Sequence, residues 1–375
     1  MKIGIIGAGI GGLTAAIMLQ EQGHDVVIYE KNDAIREMGA GIGIGDNVIQ
    51  LLGSHDLAKG IKNAGQVLEE LRILDNRGQL LNALVLNETQ TNVTLERQVL
   101  VDILKSYIDD TIIHFNHEVT DVESHQTNAT IHFKQHQSVK VDMVIGADGI
   151  HSRVRTTVQP KSKVLYQGYI CFRGIVDDMD LLKPIAEEYW GKKGRFGIVP
   201  LLNGRVYWFA TINAKARDAR FKNFNKPHLQ AYFNHFPDPV RKVLALQSET
   251  EILHHDIYDL KPLSQFVYEQ RIVLLGDAAH ATTPNMGQGA GQAMEDAVVL
   301  ANVLKKYSDL DRALQRYQRL RVKHTQKIIK KSRKIGEIAQ KSNGMTMSVR
   351  NRLLRMMPKW VMARQTRLLY RGKKE

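Results

Sequence analysis

Cysteine is almost absent: Cys171 is the only one in 375 residues. A single thiol forms no internal disulfide, no iron–sulfur centre and no Cys-rich zinc site, and its scarcity fits a reducing cytoplasm. Proline is sparse, with 9 residues, and no tract is of low complexity or recurs at a fixed period, which argues against disordered chains, solenoids and propellers. Long apolar runs are missing, with one exception. Residues 3–19, IGIIGAGIGGLTAAIML, carry no charge and follow Lys2, but the glycines within them argue against a signal peptide or a transmembrane helix. What remains is the composition of a globular enzyme, 43% hydrophobic and 24% charged, long enough for two domains or one large interleaved unit.

Charge is unevenly placed. The formal net charge is +13, yet residues 301–375 carry about 22 Lys/Arg against about 4 Asp/Glu, which leaves the preceding chain mildly acidic. Neither a basic groove with interleaved aromatics nor a nucleic-acid-binding motif accompanies the excess, so nucleic acid is not an expected partner. The bland account is a solvated helical face. The sharper one is a peripheral contact with an anionic membrane or an acidic partner through residues 345–375, where VRNRLLRMMPKWVMARQTRLLYR mixes Leu, Met and Trp with Arg.

The first thirty residues read as strand, turn, helix, strand: KIGIIG is a short apolar strand, GLTAAIMLQEQG a helix ended by Gly23, and DVVIYE a second strand. That is the opening βαβ unit of a Rossmann-type dinucleotide-binding fold, an α/β architecture. VDMVIGADG and RIVLLGD read as further buried strands of the same sheet. Between them, VLYQGYICFRGIV, GRFGIVPL, RVYWFATIN and EILHHDIYDL have the texture of a mostly antiparallel sheet. The expected division is a dinucleotide-binding part over 1–163, with inserted strands, then a substrate-binding sheet over 164–262. A return to the first domain over 263–308 and basic C-terminal helices over 309–375 complete it.

Gly7-x-Gly9-x-x-Gly12 sits between the first strand and the helix. Gly7 permits the tight turn, Gly9 lets a pyrophosphate approach the backbone, and Gly12 lets helix and strand pack closely. The phosphates then lie at a helix N-terminus, on the loop that includes Ile10 and Gly11. Glu30, followed by Lys31, ends the second strand 18 residues after Gly12, where a carboxylate accepts hydrogen bonds from ribose hydroxyls.

Two further motifs follow in order, GADGIHSRVR from Gly146 to Arg155 and GDAAHATTPNMGQGAGQAMEDA from Gly276 to Ala297. With them the chain, from residue 1 to about 330, resembles the group A flavin monooxygenases, the para-hydroxybenzoate hydroxylase family. The resemblance implies FAD as cofactor, Asp277 on its ribityl chain, and the backbone of Gly287, Gln288, Gly289, Ala290 and Gly291 facing the pyrimidine edge of the flavin. It implies that Arg97 reaches the FAD chain, that Val119 contacts the adenine end, and that Gly41 and Gly43 line the cofactor. It places Asp148, with Arg155, where pyrophosphate and nicotinamide approach; the alternative for these two is an Asp-Gly turn and a local ion pair. Ala290-Gly291 departs from the pattern, many relatives having a larger residue followed by Asn.

The same resemblance implies NADH or NADPH as a transient co-substrate without a fold of its own, and hydroxylation by O2 through a C4a-hydroperoxide of the flavin. The flavin then carries the difficult chemistry, which explains why no Ser-His-Asp or paired-carboxylate signature appears. No metal site is expected, since His254, His255 and Asp256 alternate across a strand. His280 reads as a packed or hydrogen-bonded motif residue.

Substrate recognition is expected from the inserted sheet and the loop around Pro284. GRFGIVPLLNGRVYWFA is similar to the FAD-dependent urate hydroxylases, whose substrate arginine and tyrosine fall on Arg195 and Tyr207, so a urate-like ring is one expectation. Arg195 pairing with a carboxylate and Tyr207 serving as core are the alternatives. On the same fold a halogenase would need a Trp-x-Trp-x-Ile-Pro signature, which Trp190, Trp208 and Trp360 cannot make. A reductase of prenyl-type double bonds and a flavoprotein docking through its basic tail stay open.

Overall fold

The structure is a computed structural model that describes residues 1–35, 41–53, 55–86, 91–177 and 183–358. Its first layer is a sheet with, among the described residues, six strands. Lys2–Ile6 lies at its centre, paired in parallel with Asp25–Tyr29 on one side and Met143–Gly146 on the other, and Ile272–Leu274 follows beyond. These strands are short apolar runs because both faces are covered: Ile3, Ile5, Ile28, Val144, Ile145 and Val273 are inaccessible to solvent.

The glycine motif behaves as its chemistry requires. Gly7 takes φ +101°, and a Cβ on Gly12 would sit 2.0 Å from the Gly7 carbonyl oxygen, so both positions tolerate only glycine. Gly9 caps the helix Ile10–Gln20 without a side chain, and a Cβ there would meet nothing within 4 Å. A Cβ on Gly11 would press on Leu275 and Ala293, so this glycine lets the first helix lie against the helix Gly289–Lys306.

The second large sheet is mostly antiparallel. Its strands run in the order Leu253–Leu260, Val164–Val176, Val206–Asn213, Gly194–Pro200, Ile185–Gly191, Glu70–Asp75 and Leu80–Val85. The last two come from well before residue 164, and Glu70–Asp75 joins through a parallel pairing with Ile185–Gly191. One face of this sheet buries Phe172, Phe196, Trp208 and Ala210 against Phe233 and Val240 of two short helices and Phe236 of the turn between them. The other face carries Tyr169, Cys171, Arg173, Arg195, Tyr207, Phe209 and Thr211, as the registers Cys171↔Thr211↔Arg195 and Arg173↔Phe209 require.

The C-terminal helix Leu310–Ala339 buries Leu314, Tyr317, Ile328 and Ile329 on the body, and Gly344–Met356 follows it. The long helix also inserts a cation into the third motif. Arg321, 2% exposed, donates from Nε to Asp296 Oδ1 at 2.5 Å and from its terminal nitrogens to Glu295 and to Gln292 Oε1. Asp296 Oδ2 accepts from the Gly276 N–H at 2.8 Å and meets His280 Nε2 at 2.5 Å. Burial pushes the Asp296 carboxyl up, but His280, Arg321 and the Gly276 N–H outweigh it and bring it down to about 2.

Breaking such a pair from one side leaves buried carboxylates uncompensated. Arg321→Met is expected to cost about 3–5 kcal/mol in denaturant unfolding. Because the folded Asp296 carboxyl lies below its unfolded range of about 4, its contribution is full above that pH and is lost as pH falls through about 2. The variant is therefore also expected to unfold at a higher pH on acid titration followed by circular dichroism.

Candidate active site

The motif turns follow the carboxyl ends of neighbouring parallel strands. In the order Ile272–Leu274, Met143–Gly146, Lys2–Ile6, Asp25–Tyr29, the strands lead into Asp277, Asp148, the Gly7 loop and Glu30. Segments far apart in the chain thus meet on one crevice, the place where open α/β sheets bind nucleotides.

Glu30 is buried, and its carboxylate accepts from the Ala8 N–H at 2.9 Å and from Asn32, leaving further lone pairs open. The segment carrying Val119 docks on the same residue: Glu30 N donates to His114 O, and His117 N donates to Glu30 O. Lys31 is exposed. Asp277 reaches solvent through the crevice while protein surrounds it, so desolvation raises its carboxyl against the lowering pull of His280, Arg97 and Arg155. Arg97, at the start of the helix Arg97–Lys105, is near enough to act electrostatically on both Asp277 and His255.

The second motif also holds its own turn and helix together. Asp148 Oδ2 accepts from the N–H groups of Arg153 and Val154 and so caps the helix Arg153–Val158. Arg155 makes no ion pair with it; it is buried and donates to the carbonyls of Ile150 and Ala278, tying the second motif to the third.

The third motif ends in an open helix start. Gly287 adopts φ +60°, and the eighteen-residue helix Gly289–Lys306 has no side-chain cap and no acidic residue in its first turn. A Cβ on Gly287 or Gly289 would meet nothing within 4 Å, while Gly291 approaches Val48 and Ala290 packs partly into the core. Free N–H groups at such an end act as about half a positive charge. With the open Gly9 loop and an Asp277 carboxylate that feels Arg97 and Arg155, these features fit FAD: pyrophosphate on the first helix, ribityl chain at Asp277, pyrimidine edge on the last.

Gly41 joins this crevice to the second sheet. Within Gly41–Gly45, paired to Asn92–Glu96, a Cβ on Gly41 would sit 2.4 Å from the Tyr207 ring, whereas Gly43 meets only Asn92 at 3.4 Å. The Tyr207 ring therefore packs where the cofactor strand begins. Burial pushes its phenol up, against the pull of Arg173, so the hydroxyl keeps its proton, and it has no hydrogen-bond partner among the described residues.

Arg195 does not present a free cation. It is 2% exposed, pairs with Glu188 at 2.9 Å, and donates to Thr211 and to Asn285 Oδ1 at 2.7 Å. The strand register produces this, since it sets Glu188 opposite Gly197 on the same face. Arg195 also lies opposite Thr211, four residues from Tyr207 along its strand, about 13 Å at the usual rise. Asn285, which the sequence did not single out, is the hub: its amide donates to Thr283, Tyr169 and the Ser332 carbonyl, and Gly336 leaves room for it. Pro284 opens the short turn that carries it and is exposed. His254 stacks on Phe172 while His255 shares the opposite face with Cys171, and His280 belongs to the Asp296 network.

The profile of the family described as FAD binding domain matches residues 1–332. The aurachin C monooxygenase/isomerase of Stigmatella aurantiaca is 33% identical over 359 residues, covering 94% of this chain and 93% of that one. An FAD-dependent urate hydroxylase of Klebsiella pneumoniae subsp. pneumoniae is 31% identical over 345 residues, 89% of each. Among solved structures, Klebsiella pneumoniae HpxO complexed with FAD and uric acid superposes with a TM-score of 0.91 at 28% identity, covering 100% of this chain and 97% of that one. The chain therefore belongs to the FAD-binding-domain family and is an FAD-dependent monooxygenase of the group A, para-hydroxybenzoate hydroxylase type.

Proposed function

We propose that the enzyme uses NADH or NADPH and O2 to hydroxylate a small aromatic or heterocyclic compound, held between the open start of the helix Gly289–Lys306 and the Tyr207 face of the second sheet. The observation that carries this reading is the convergence of separate motifs at the ends of neighbouring parallel strands, next to a sheet face lined by tyrosines and arginines. Relatives that act on ring compounds by name, a urate hydroxylase among them, support the substrate class.

Bound FAD would supply electron transfer and oxygen activation. The chain's own residues bind, orient and exclude water. The Gly289 N-terminus favours negative charge at the pyrimidine edge. Tyr207 keeps its proton and offers a hydrogen bond to a substrate oxygen, while Phe209 and Tyr169 supply apolar walls. Arg195, Asn285 and Glu188 fix the position of the Pro284 turn. The nicotinamide approaches transiently, since the chain carries a single Gly-x-Gly-x-x-Gly in a strand-to-helix setting.

The purified protein is expected to carry FAD, and a screen of ring compounds, urate and phenolic acids included, is expected to find one that stimulates NAD(P)H oxidation with matching O2 uptake and hydroxylated product. NAD(P)H oxidation without O2 consumption would move the assignment to a reductase.

A peripheral membrane contact is a second reading, and a specific surface supports it. The helix Gly344–Met356 exposes Met345, Val349, Leu353 and Met356 at helical spacing, while Arg350 over Trp190 and Arg355 at Asp75 hold its other side. Basic excess in this part of the chain suits an anionic bilayer; residues 359–375 of the proposed contact lie outside the described residues. The protein is expected to co-sediment with phosphatidylglycerol vesicles but not with phosphatidylcholine ones, and replacing Met345, Val349 and Leu353 by Ser is expected to cut binding severalfold. Equal sedimentation of wild type and variant would end this reading.

A further inference from the structure

We propose that Arg173 binds the negative charge of the substrate, and that the substrate is therefore an acidic ring compound, one with a carboxylate or an ionisable ring hydroxyl or N–H. The proposal rests on the ring-hydroxylase reading and deepens it.

Arg173 lies in the strand Val164–Val176, on the face that carries Tyr169 and Cys171. It is opposite Phe209, one diagonal step from Tyr207, within about 7–8 Å at ordinary sheet spacing. On its other side the register puts it opposite Leu253, and His255 is opposite Cys171. His255 responds to both Arg173 and Arg97, and Arg97 in turn acts on Asp277. Arg173 therefore lies within electrostatic reach of His255 on the same sheet face.

The two arginines of this face differ in how their charge is met. Arg195 is matched by Glu188 and held by Thr211 and Asn285. Arg173 hydrogen-bonds the Cys171 side chain, but it has no carboxylate within ion-pair distance among the described residues, and its buried Nε has no hydrogen-bond partner. The groups around it are Cys171, Tyr207, Tyr169 and His255. Tyr207 stays protonated. Burial first, then the cations Arg173 and Arg97, drive His255 toward its neutral form. Nothing described on this face supplies the missing negative charge.

A guanidinium cannot escape by losing its proton, so leaving it half-buried without a counter-charge is unfavourable. A binding site tolerates such a cost when the ligand removes it, because the same deficit then becomes selectivity for an anion. Arg173 and the protonated Tyr207 together form a two-point holder: the guanidinium for the charge, the phenol for a neighbouring oxygen. An acidic ring held this way is electron-rich where hydroxylation needs it, and its ionised form is favoured on binding.

The test uses the full-length, FAD-loaded protein and its Arg173→Gln and Arg173→Lys variants. Azide and thiocyanate serve as small anions, salicylate and urate as ring anions, and salicylamide as a neutral ring, each titrated against the flavin absorbance spectrum. The wild type is expected to bind the small anions and at least one ring anion. In Arg173→Gln the dissociation constants for anions are expected to rise about 10- to 100-fold, with salicylamide binding and FAD content unchanged and partial recovery in Arg173→Lys. Ligand-free Arg173→Gln is expected to melt a few degrees higher than wild type, since it removes an unmatched charge, whereas a structural arginine would melt lower. Wild type that responds to no anion, equal anion affinity in Arg173→Gln, or loss of FAD from that variant would each overturn the proposal. Wild type that carries no flavin at all would instead overturn the hydroxylase reading beneath it.

Discussion

The buried contact between Arg321 and the pair Glu295–Asp296 is what the rest of the site depends on. It joins the long C-terminal helix to the helix Gly289–Lys306, and through Asp296 it also holds the Gly276 N–H and His280. The turn that presents Asp277 and the helix whose open start we propose to face the flavin are therefore positioned by one carboxylate. Asn47 and Gln292 add hydrogen bonds to Glu295, which extends the network to the helix Asp46–Leu52 that follows the strand Gly41–Gly45. A buried ionic cluster is an uncertain source of stability, but it is a strong source of orientation, and orientation is what a bound redox group requires.

A second constraint works across the two sheets. Gly41 has room for Tyr207 only because it lacks a side chain, and Gly336 has room for Asn285 for the same reason. These close approaches lock the substrate face to the cofactor face from two directions. Within that frame the charges are treated unequally: Arg195 is neutralised and serves position, while Arg173 is left to be neutralised. On the reading proposed above, the site separates the residue that shapes the pocket from the residue that selects what enters it.

Local chemistry was legible in the sequence. The strand–turn–helix setting of Gly7, Gly9 and Gly12, the acid at Glu30 and the glycine-rich helix start at 287–291 all follow from short-range patterns, and the structure brings them to one crevice. What was not legible depends on pairing between distant strands. Glu70–Asp75 joins the second sheet by a parallel pairing with Ile185–Gly191, and no local signal marks that. Glu188 beside Arg195 is a consequence of register, so the sequence offered an apparently free arginine where the structure has an ion pair. Arg173 was missed for the same reason. It sits inside an apolar strand, and only the alternation Tyr169, Cys171, Arg173, Ile175, read against Tyr207 on the next strand, reveals which way that face looks.

The central physical claim is that the Arg321 network aims an uncapped helix start at the pyrimidine edge of FAD and so favours negative charge there. Absorbance of the photoreduced, FAD-loaded enzyme, followed anaerobically as pH is lowered, tests it directly. The account predicts that the reduced flavin stays anionic to a clearly lower pH than free reduced FAD in the same buffer. A titration that coincides with free reduced FAD, or one shifted to higher pH, would contradict it.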